Sequence, residues 1–263
     1  MLLALSISQA YAEDWPQKGP IWLIVSNAAG SSADIPARIL VEQLSTQLGQ
    51  TIVVDNRPGA GGSIAGRMVA QSKPGGYSLL FAPTSAASIS PWTLSEGMWQ
   101  PDRELLPIGM FAYTPLAIAV KSDSPIRNMR HLIELAREKP DSFVSTNPGL
   151  YTRGHLASEL VIERAKAPLR TIPFKSFPGE LVAVMNGDAA MLMDGVSPIL
   201  AQTNGQGLRI LAVSSDEHLP GLESYPLLSV FCPVNSQSQD MVRIRHVGRC
   251  RCRMPIPGRR LWS

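Results

Sequence analysis

Cysteine is scarce in this chain and confined to one region. Cys232, Cys250 and Cys252 are the only three, and all lie beyond residue 231. Together with His246 they match no common zinc spacing, so we expect neither a metal nor a cofactor. A body without cysteine suits an exported protein that avoids stray disulfides, but it suits a cytosolic protein equally well.

The body also lacks long apolar runs and an excess of positive charge. No segment after the N-terminus approaches the roughly 20 apolar residues of a membrane helix. The net charge of +3 comes from the region beyond residue 231, which holds seven arginines and one aspartate, whereas residues 13–231 are slightly acidic. The basic balance is therefore a property of the region beyond residue 231 and does not indicate the partners of the body; we expect no nucleic-acid partner.

The usual catalytic patterns are missing as well. The sequence has no Gly-x-Ser-x-Gly elbow, and His131, His155 and His218 have no evident nucleophile partner. The glycine-rich segment 57–62 lacks the Lys-Ser/Thr of a nucleotide-binding loop, which favours a structural turn. We expect a protein that is not an enzyme.

The first residues are typical of the end of a secretory signal. An apolar start at 1–5 precedes Ala10 and Ala12, which form a small-x-small cleavage site before Glu13. We interpret residues 1–12 as a signal peptide remnant and expect a periplasmic, exported protein. A frayed apolar N-terminus is the alternative.

Short apolar runs alternate with segments of helical spacing along the body. Ile21–Val25 is typical of a strand covered on both faces, and the helical pattern at 31–48 ends before Gly49, which suits a helix C-cap. We expect further strands at 51–55, 77–81, 116–120, 143–145, 170–174, 190–193 and 208–213, and further helices at 63–71, 129–138, 155–165 and 179–185. This alternation predicts an α/β fold with parallel sheets and right-handed crossovers.

Three segments place small residues between a predicted strand and a predicted helix. They are 26–40, 82–91 and 147–160, and a fourth polar stop lies at 193–197. Unpaired N–H groups at a helix start, beside small hydroxyl residues, form a ready site for an anion such as a carboxylate. The pattern favours a secreted solute-binding protein with a cleft for a small anionic ligand.

The order of several strings resembles the Bug or TctC-like family, the periplasmic solute receptors of tripartite tricarboxylate transporters. Residues 74–80, for example, are similar to the family string P-D-G-Y-T-L-L. The resemblance runs from about residue 15 to residue 226 and rests on the strings VDNRPGAGG (54–62), PGGYSLL (74–80), GHLASEL (154–160), IPFK (172–175) and LRILAVS (208–214).

The resemblance implies a two-lobe periplasmic binding protein fold, type II-like, in which each lobe is a mostly parallel sheet flanked by helices. It implies a monomer that delivers a small carboxylate to membrane transporter subunits. We expect lobe 1 at 13–108, lobe 2 at 109–207, a return toward lobe 1 at 208–228 and a non-family, disordered tail at 229–263. The stretch 91–107 is the expected boundary between the lobes.

The resemblance also implies a set of ligand contacts. In lobe 1, Asp34 would position water or contact a ligand amine, or it would simply favour the first turn of its helix. In lobe 2, Arg153 departs from the family pattern, and its guanidinium would pair with a ligand carboxylate. The full expected set is Ser26, Ala28, Gly30, Ser31, Ser32, Asp34, Thr84, Ser85, Ala86, Asn147, Tyr151, Thr152, Arg153, Gly154, His155, Lys175 and Asp194.

Two features of this set depart from the family pattern. Segment 27–34 keeps one glycine and the aspartate of the family's F-x-P-G-G-x-x-D but lacks its aromatic residue and proline, and Ser31 replaces a glycine. Tyr151 and Arg153 stand where the family usually has small residues. The ligand class is therefore less constrained by the sequence than the fold is.

The tail changes composition abruptly. Arginine and cysteine become frequent together and the periodicity ends, as expected of translation in a wrong reading frame; a basic nucleic-acid-binding tail is the alternative. We expect the C-terminal part of the fold to be incomplete and lobe 1 to expose apolar surface.

Two other function classes remain open at this point. One is an α/β enzyme that acts on a small anionic substrate. The other is the ligand-sensing domain of a transcription regulator, which shares the two-lobe architecture but would need a helix-turn-helix before the body.

Overall fold

Strands and short helices alternate along the chain. The computed structural model describes residues 15–93, 99–140, 142–203 and 207–231. The strands are β1 (Ile21–Val25), β2 (Ile52–Asn56), β3 (Ser78–Phe81), β4 (Leu116–Lys121), β5 (Val144–Asn147), β6 (Arg170–Pro173), β7 (Met191–Gly195) and β8 (Leu208–Val213). The helices are α1 (Asp34–Leu48), α2 (Ser63–Ala70), α3 (Ser90–Thr93), α4 (Pro101–Glu104), α5 (Met129–Glu138), α6 (Arg153–Ala165), α7 (Phe177–Asn186) and α8 (Val196–Thr203).

Local sequence explains several helix ends. Gly49 closes α1 with a φ of 59°, a left-handed conformation that suits glycine. Asn128 and Thr152 accept hydrogen bonds from the main-chain N–H of His131 and His155, and so cap the starts of α5 and α6. A π-helical turn at Ser85–Ile89 leads into α3. The sequence analysis predicted neither of these two helical segments.

The first lobe contains a three-stranded sheet in the order β2-β1-β3, all parallel. Helix α1 covers one face, where Ile21, Leu23 and Val25 are buried against Ala37. Helix α2 covers the other face around Ile24. Strand β1 is therefore covered on both faces, as predicted, except at the partly exposed Trp22.

The second lobe contains a five-stranded sheet in the order β6-β5-β7-β4-β8. Strand β4 runs antiparallel to both its neighbours, β7 and β8, while β6, β5 and β7 pair in parallel. Four of the five strands therefore point the same way. Two apolar cores, one on each face, hold this sheet between its helices.

Strand β8 corrects one expectation about the chain path. We expected residues 208–228 to return toward lobe 1, but β8 pairs with β4 and so extends the second sheet. Leu228 is buried in the second-lobe core and Phe231 packs against it, although we had placed Leu228 in the return toward lobe 1 and Phe231 in the tail. Their apolar side chains complete the face of the sheet formed by β4 and β7.

The expected lobe boundary at 91–107 also belongs in part to the first lobe. Trp99 is buried, donates its indole N–H to the carbonyl of Ala86 at 2.8 Å, and lies against Gly66 so closely that a Cβ there would meet its ring at 2.4 Å. After Trp99 in the chain, several apolar side chains are exposed, among them Leu106, Ile108 and Met110. Trp22 on β1 is also 43% exposed, while the larger uncovered apolar surface expected on lobe 1 stays a prediction.

Two predictions concern residues outside the described ranges. The cleavage site at Ala10–Ala12 precedes residue 15, and the three cysteines follow residue 231. Within the described ranges, none of the helices combines the length and apolar character needed to span a membrane.

Candidate ligand-binding site

The predicted contact segments all follow the carboxyl ends of strands. Segment 26–34 follows β1 and segment 84–86 follows β3, so the two lie on one edge of the first sheet. Segment 147–155 follows β5 and Asp194 lies at the end of β7, on one edge of the second sheet. Carboxyl edges of parallel strands are where α/β proteins bind ligands.

Asp34 organises the first-lobe loop. Its carboxylate is buried and accepts hydrogen bonds from the main-chain N–H of Gly30, the Nε of Arg38 and the side-chain amide of Asn56, each at 2.9 Å. The Asn56 amide also donates to the carbonyl of Asn27 at 3.0 Å. Burial would raise the pKa of Asp34, but these hydrogen bonds and the charge of Arg38 together lower it. These hydrogen bonds thus use the acceptor sites of the Asp34 carboxylate. This favours a role in positioning the loop over direct contact with a ligand amine.

Gly62 brings the two first-lobe segments together. A Cβ at this position would lie 2.4 Å from the Cβ of Ala86 and 3.1 Å from the Cβ of Ser26. Its φ of 99° is in the left-handed region. The turn at 57–62, predicted to be structural, therefore packs between Ser26 and Ala86 and fixes their spacing.

In the second lobe, Gly154 and Thr152 position the start of α6. A Cβ on Gly154 would lie 2.7 Å from the carbonyl oxygen of Met193, so the helix start packs directly against the end of β7. Thr152 caps the helix, and the buried Asn147 accepts a hydrogen bond from the N–H of Gly149 at 3.2 Å. The amide nitrogen of Asn147 has no partner among the described residues.

Asp194 and Ser32 join the two lobes. The hydroxyl of Ser32 donates to Oδ1 of Asp194 at 3.2 Å, and the N–H of Gly195 donates to the same oxygen. The second oxygen, Oδ2, is buried without a partner in the described chain. Burial raises the pKa of Asp194 to about 6, against the opposing effect of these two donors and of the Arg153 charge. The carboxyl edges of the two sheets therefore face each other at this contact.

Glu180 lies behind Asp194 and was missed by the sequence analysis. It is fully buried on α7, and neither of its carboxyl oxygens has a partner among the described residues. Burial raises its pKa well above the ordinary value, and the nearby charge of Asp194 adds to the effect. A carboxyl in this setting is stable when protonated.

Arg153, the first residue of α6, reaches the segment that connects the lobes. One of its Nη atoms donates to the carbonyl of Thr114 at 2.6 Å. Burial lowers the pKa of the guanidinium, and the charges of Tyr113 and Asp194 oppose that change. Arg153 therefore lies at the lobe junction.

The remaining predicted contacts are less central. The ring of His155 packs edge-on against Tyr151 at 6.2 Å, and its Nε2 lies 4.0 Å from Glu159. Lys175 follows the edge strand β6 and is exposed, and the structure brings it into contact with none of the other predicted residues.

A cavity of about 260 Å³ beside the connecting segment is lined by Tyr113, Thr114, Val196 and the 219–222 turn. None of the predicted ligand residues lines it. Three of the buried polar groups with an unpaired atom in the described chain, Asn147, His155 and Asp194, lie at the facing strand ends instead. Among the described residues, no group of three or more His, Cys, Asp or Glu side chains could hold a metal ion.

Comparison with known proteins gives a consistent result. Residues 36–240 match the family described as Tripartite tricarboxylate transporter family receptor, TctC, so the match continues beyond residue 226, where we expected it to end. A UPF0065 protein of Bordetella bronchiseptica is 36% identical over 233 residues, which cover 89% of this chain and 69% of that protein. BugT of Bordetella pertussis is 28% identical, covering 83% of this chain and 67% of BugT.

Solved structures are similar over the same region. The periplasmic binding protein BugD is 28% identical with a TM-score of 0.71, covering 81% of this chain and 71% of BugD. An R. palustris protein solved with adipate is 25% identical with a TM-score of 0.78, covering 82% of this chain and 72% of that protein.

Proposed function

The chain belongs to the tripartite tricarboxylate transporter receptor family, and we propose that it is a periplasmic receptor that captures a small carboxylate between its lobes. It then passes this ligand to membrane subunits of a transporter. In this role it acts as a monomer, needs no cofactor and catalyses no reaction.

The contact between Ser32 and Asp194 carries the proposal. It joins the loop after β1 to the end of β7, so the two strand-end edges close on one another. Hinge closure around a ligand is a common mode of action for two-lobe receptors. The segment around Thr114, held by Arg153, lies where such a hinge is expected.

The ligand contacts follow from the chemistry of the loops. We propose that N–H and hydroxyl groups at 26–32 and 84–86 bind one carboxylate, since small residues leave these donors accessible. Asn147, with its unpaired amide, and residues 151–155 line the opposite lobe. Adipate, bound in the similar R. palustris protein, supports a carboxylate as the ligand class.

Thermal unfolding of the full chain tests this function. Ligands that bind only the folded state raise its stability in proportion to the logarithm of their concentration above Kd. We expect a rising midpoint with at least one member of a panel of mono-, di- and tricarboxylates, and none with nucleotides. Stabilisation by nucleotides alone would contradict the proposal.

Export is tested separately. We expect the mature protein to begin at Glu13, after the Ala10-x-Ala12 site. Sequencing the N-terminus of protein recovered from the periplasm checks this. A cytoplasmic product that retains Met1 would contradict it.

A further inference from the structure

We infer that Arg153 is a specificity-determining residue that binds a second carboxylate of the ligand at the lobe junction. The inference rests on the proposed function, because it assigns one end of the ligand to that same cleft. It predicts that the receptor prefers compounds with two carboxylates over compounds of equal length with one.

The position of Arg153 is fixed by its surroundings. Thr152 caps the helix that Arg153 opens, and the tight approach of Gly154 to Met193 holds the helix start against β7. The guanidinium then reaches Thr114 on the connecting segment. The charge is thus presented where the lobes meet, on a rigid support.

The guanidinium has unused donors. A guanidinium carries five N–H groups, and its one hydrogen bond in the described chain goes to a main-chain carbonyl. No carboxylate of the described residues lies within the 4.0 Å of an ion pair with Arg153. Its nitrogens are absent from the set of fully buried, unpaired atoms, so the donors without a partner are not fully shielded from solvent. A desolvated cation with free donors is a good partner for a carboxylate, which the planar fork binds with two hydrogen bonds.

The charges around Arg153 permit a second anion. Asp194 faces it from β7 and Tyr113 from the connecting segment, while Glu180 lies on α7 behind Asp194. Burial raises the pKa of both carboxyl groups, so protonation of either leaves less negative charge beside the guanidinium. A ligand carboxylate at Arg153 favours that protonation, because a nearby negative charge raises an acid's pKa.

The other ligand end has its own donors. The loops at 26–32 and 84–86 belong to lobe 1, on the opposite side of the contact between Ser32 and Asp194. A monocarboxylate held there leaves Arg153 without an anionic partner. A dicarboxylate satisfies both sets of donors and connects the lobes.

Isothermal titration against matched ligand pairs tests the inference. The pairs are succinate with butyrate, glutarate with valerate, and adipate with hexanoate. The quantity measured is the ratio of dicarboxylate to monocarboxylate affinity. In Arg153→Gln we expect this ratio to fall about 10- to 100-fold, since a charge-assisted hydrogen-bonded pair contributes about 1.5–3 kcal/mol.

Two variants complete the design. Arg164→Gln removes the same charge from the exposed far end of α6, and we expect its ratio to equal that of the wild type. Arg153→Lys keeps the charge but loses the planar fork, so we expect an intermediate ratio. It also serves as the test if Arg153→Gln does not fold.

The outcomes separate the inference from the proposed function. An unchanged ratio in both Arg153 variants, or an equal fall in Arg164→Gln, overturns the inference. A wild type that binds carboxylates without preferring two charges overturns it while the receptor function stands. A wild type that binds none of the six acids overturns the inference, and the wider panel then decides the function.

Discussion

Ser32 on the first lobe and Asp194 on the second are joined by a hydrogen bond of 3.2 Å. Gly195, next to this bond, makes the approach possible. A Cβ on Gly195 would lie 2.3 Å from the Cβ of Ser32, which is far inside normal contact. The observed closure therefore requires a residue without a side chain at position 195.

Gly195→Ala is expected to weaken ligand binding by hindering closure. The added methyl must displace the Ser32 loop, and we expect at least about a tenfold loss of affinity, or about 1.4 kcal/mol. The clash involves the other lobe, so the second lobe itself should remain folded. Titration with the best carboxylate of the panel, together with thermal unfolding of the unliganded protein, measures both quantities.

Removing the clashing partner provides the control. In the double variant Ser32→Gly with Gly195→Ala, the Cβ of Ser32 is gone, and affinity should recover in part. If the double variant binds no better than Gly195→Ala alone, the steric explanation fails.

Asp194 is expected to make stability depend on pH. Its pKa rises from 3.8 to about 6 on folding because burial disfavours the charged form. The folded state then holds more protons than the unfolded state between these values, so the free energy of unfolding decreases as pH rises through that window. The total effect is up to about 3 kcal/mol.

Asp194→Asn should remove this dependence. The amide keeps an oxygen for Ser32 and Gly195 but carries no charge, so the variant should gain stability relative to the wild type above pH 6 and lose that advantage near pH 4. The charge of Asp194 also raises the pKa values of Glu180 and Arg153, so the measured difference includes their response to its loss. Urea unfolding from pH 4 to pH 8 measures the difference; a constant difference across this range would contradict the assignment.

Asp34 is expected to stabilise the first-lobe loop at neutral pH and to lose this effect in acid, which is the opposite of the pH dependence expected for Asp194. Its lowered pKa means that its contribution is present above the unfolded value of 3.8 and is lost as pH falls through the lower folded value. Asp34→Asn should cost about 1–3 kcal/mol at pH 7, since three hydrogen bonds to a buried charge are weakened. This deficit should shrink in acid.

Asp55→Asn is the matched control for Asp34. Asp55 pairs with the half-exposed Arg57 at 2.9 Å, and surface pairs contribute about 0–1 kcal/mol. Equal losses in the two variants at pH 7 would show that the loop does not depend on Asp34.

The local sequence pattern predicted where strands and helices lie better than it predicted which strands pair with one another. The apolar run of β8 and its bounds follow from the sequence, but an apolar strand carries no signal for which sheet it joins. Strand β8 pairs with β4 across a long sequence separation, and that choice is made by the second-lobe core. The family resemblance supplied the expectation of a return, and it failed at this strand.

The same limit applies to the site. Asp194 was identified because burying a carboxylate after an apolar strand is energetically costly unless the carboxylate faces a cleft. Glu180 was not, because a glutamate in the first turn of a helix is ordinarily solvated and favourable. Its burial comes from packing between α7 and the sheet, which no local pattern reports.

Gly62 is expected to tolerate no side chain without a loss of stability. An alanine there would adopt a left-handed φ of 99°, at a cost of about 1–2 kcal/mol, and would also overlap Ala86 at 2.4 Å and Ser26 at 3.1 Å. Overpacking of this kind adds about 1–3 kcal/mol. Gly187→Ala is the control, because Gly187 has a similar φ of 85° with no atom within 4 Å of the added Cβ.

The comparison isolates the packing contribution. Both alanines carry the left-handed strain, so the difference between their unfolding free energies reports the clash with the two binding segments. We expect Gly62→Ala to be the less stable by about 1–3 kcal/mol and to bind carboxylates more weakly, because Ser26 and Ala86 must move apart. Gly187→Ala, which caps α7 on the other lobe, should lose stability only. Equal stability and equal affinity in the two variants would show that the turn at 57–62 does not set the spacing of the first-lobe contacts.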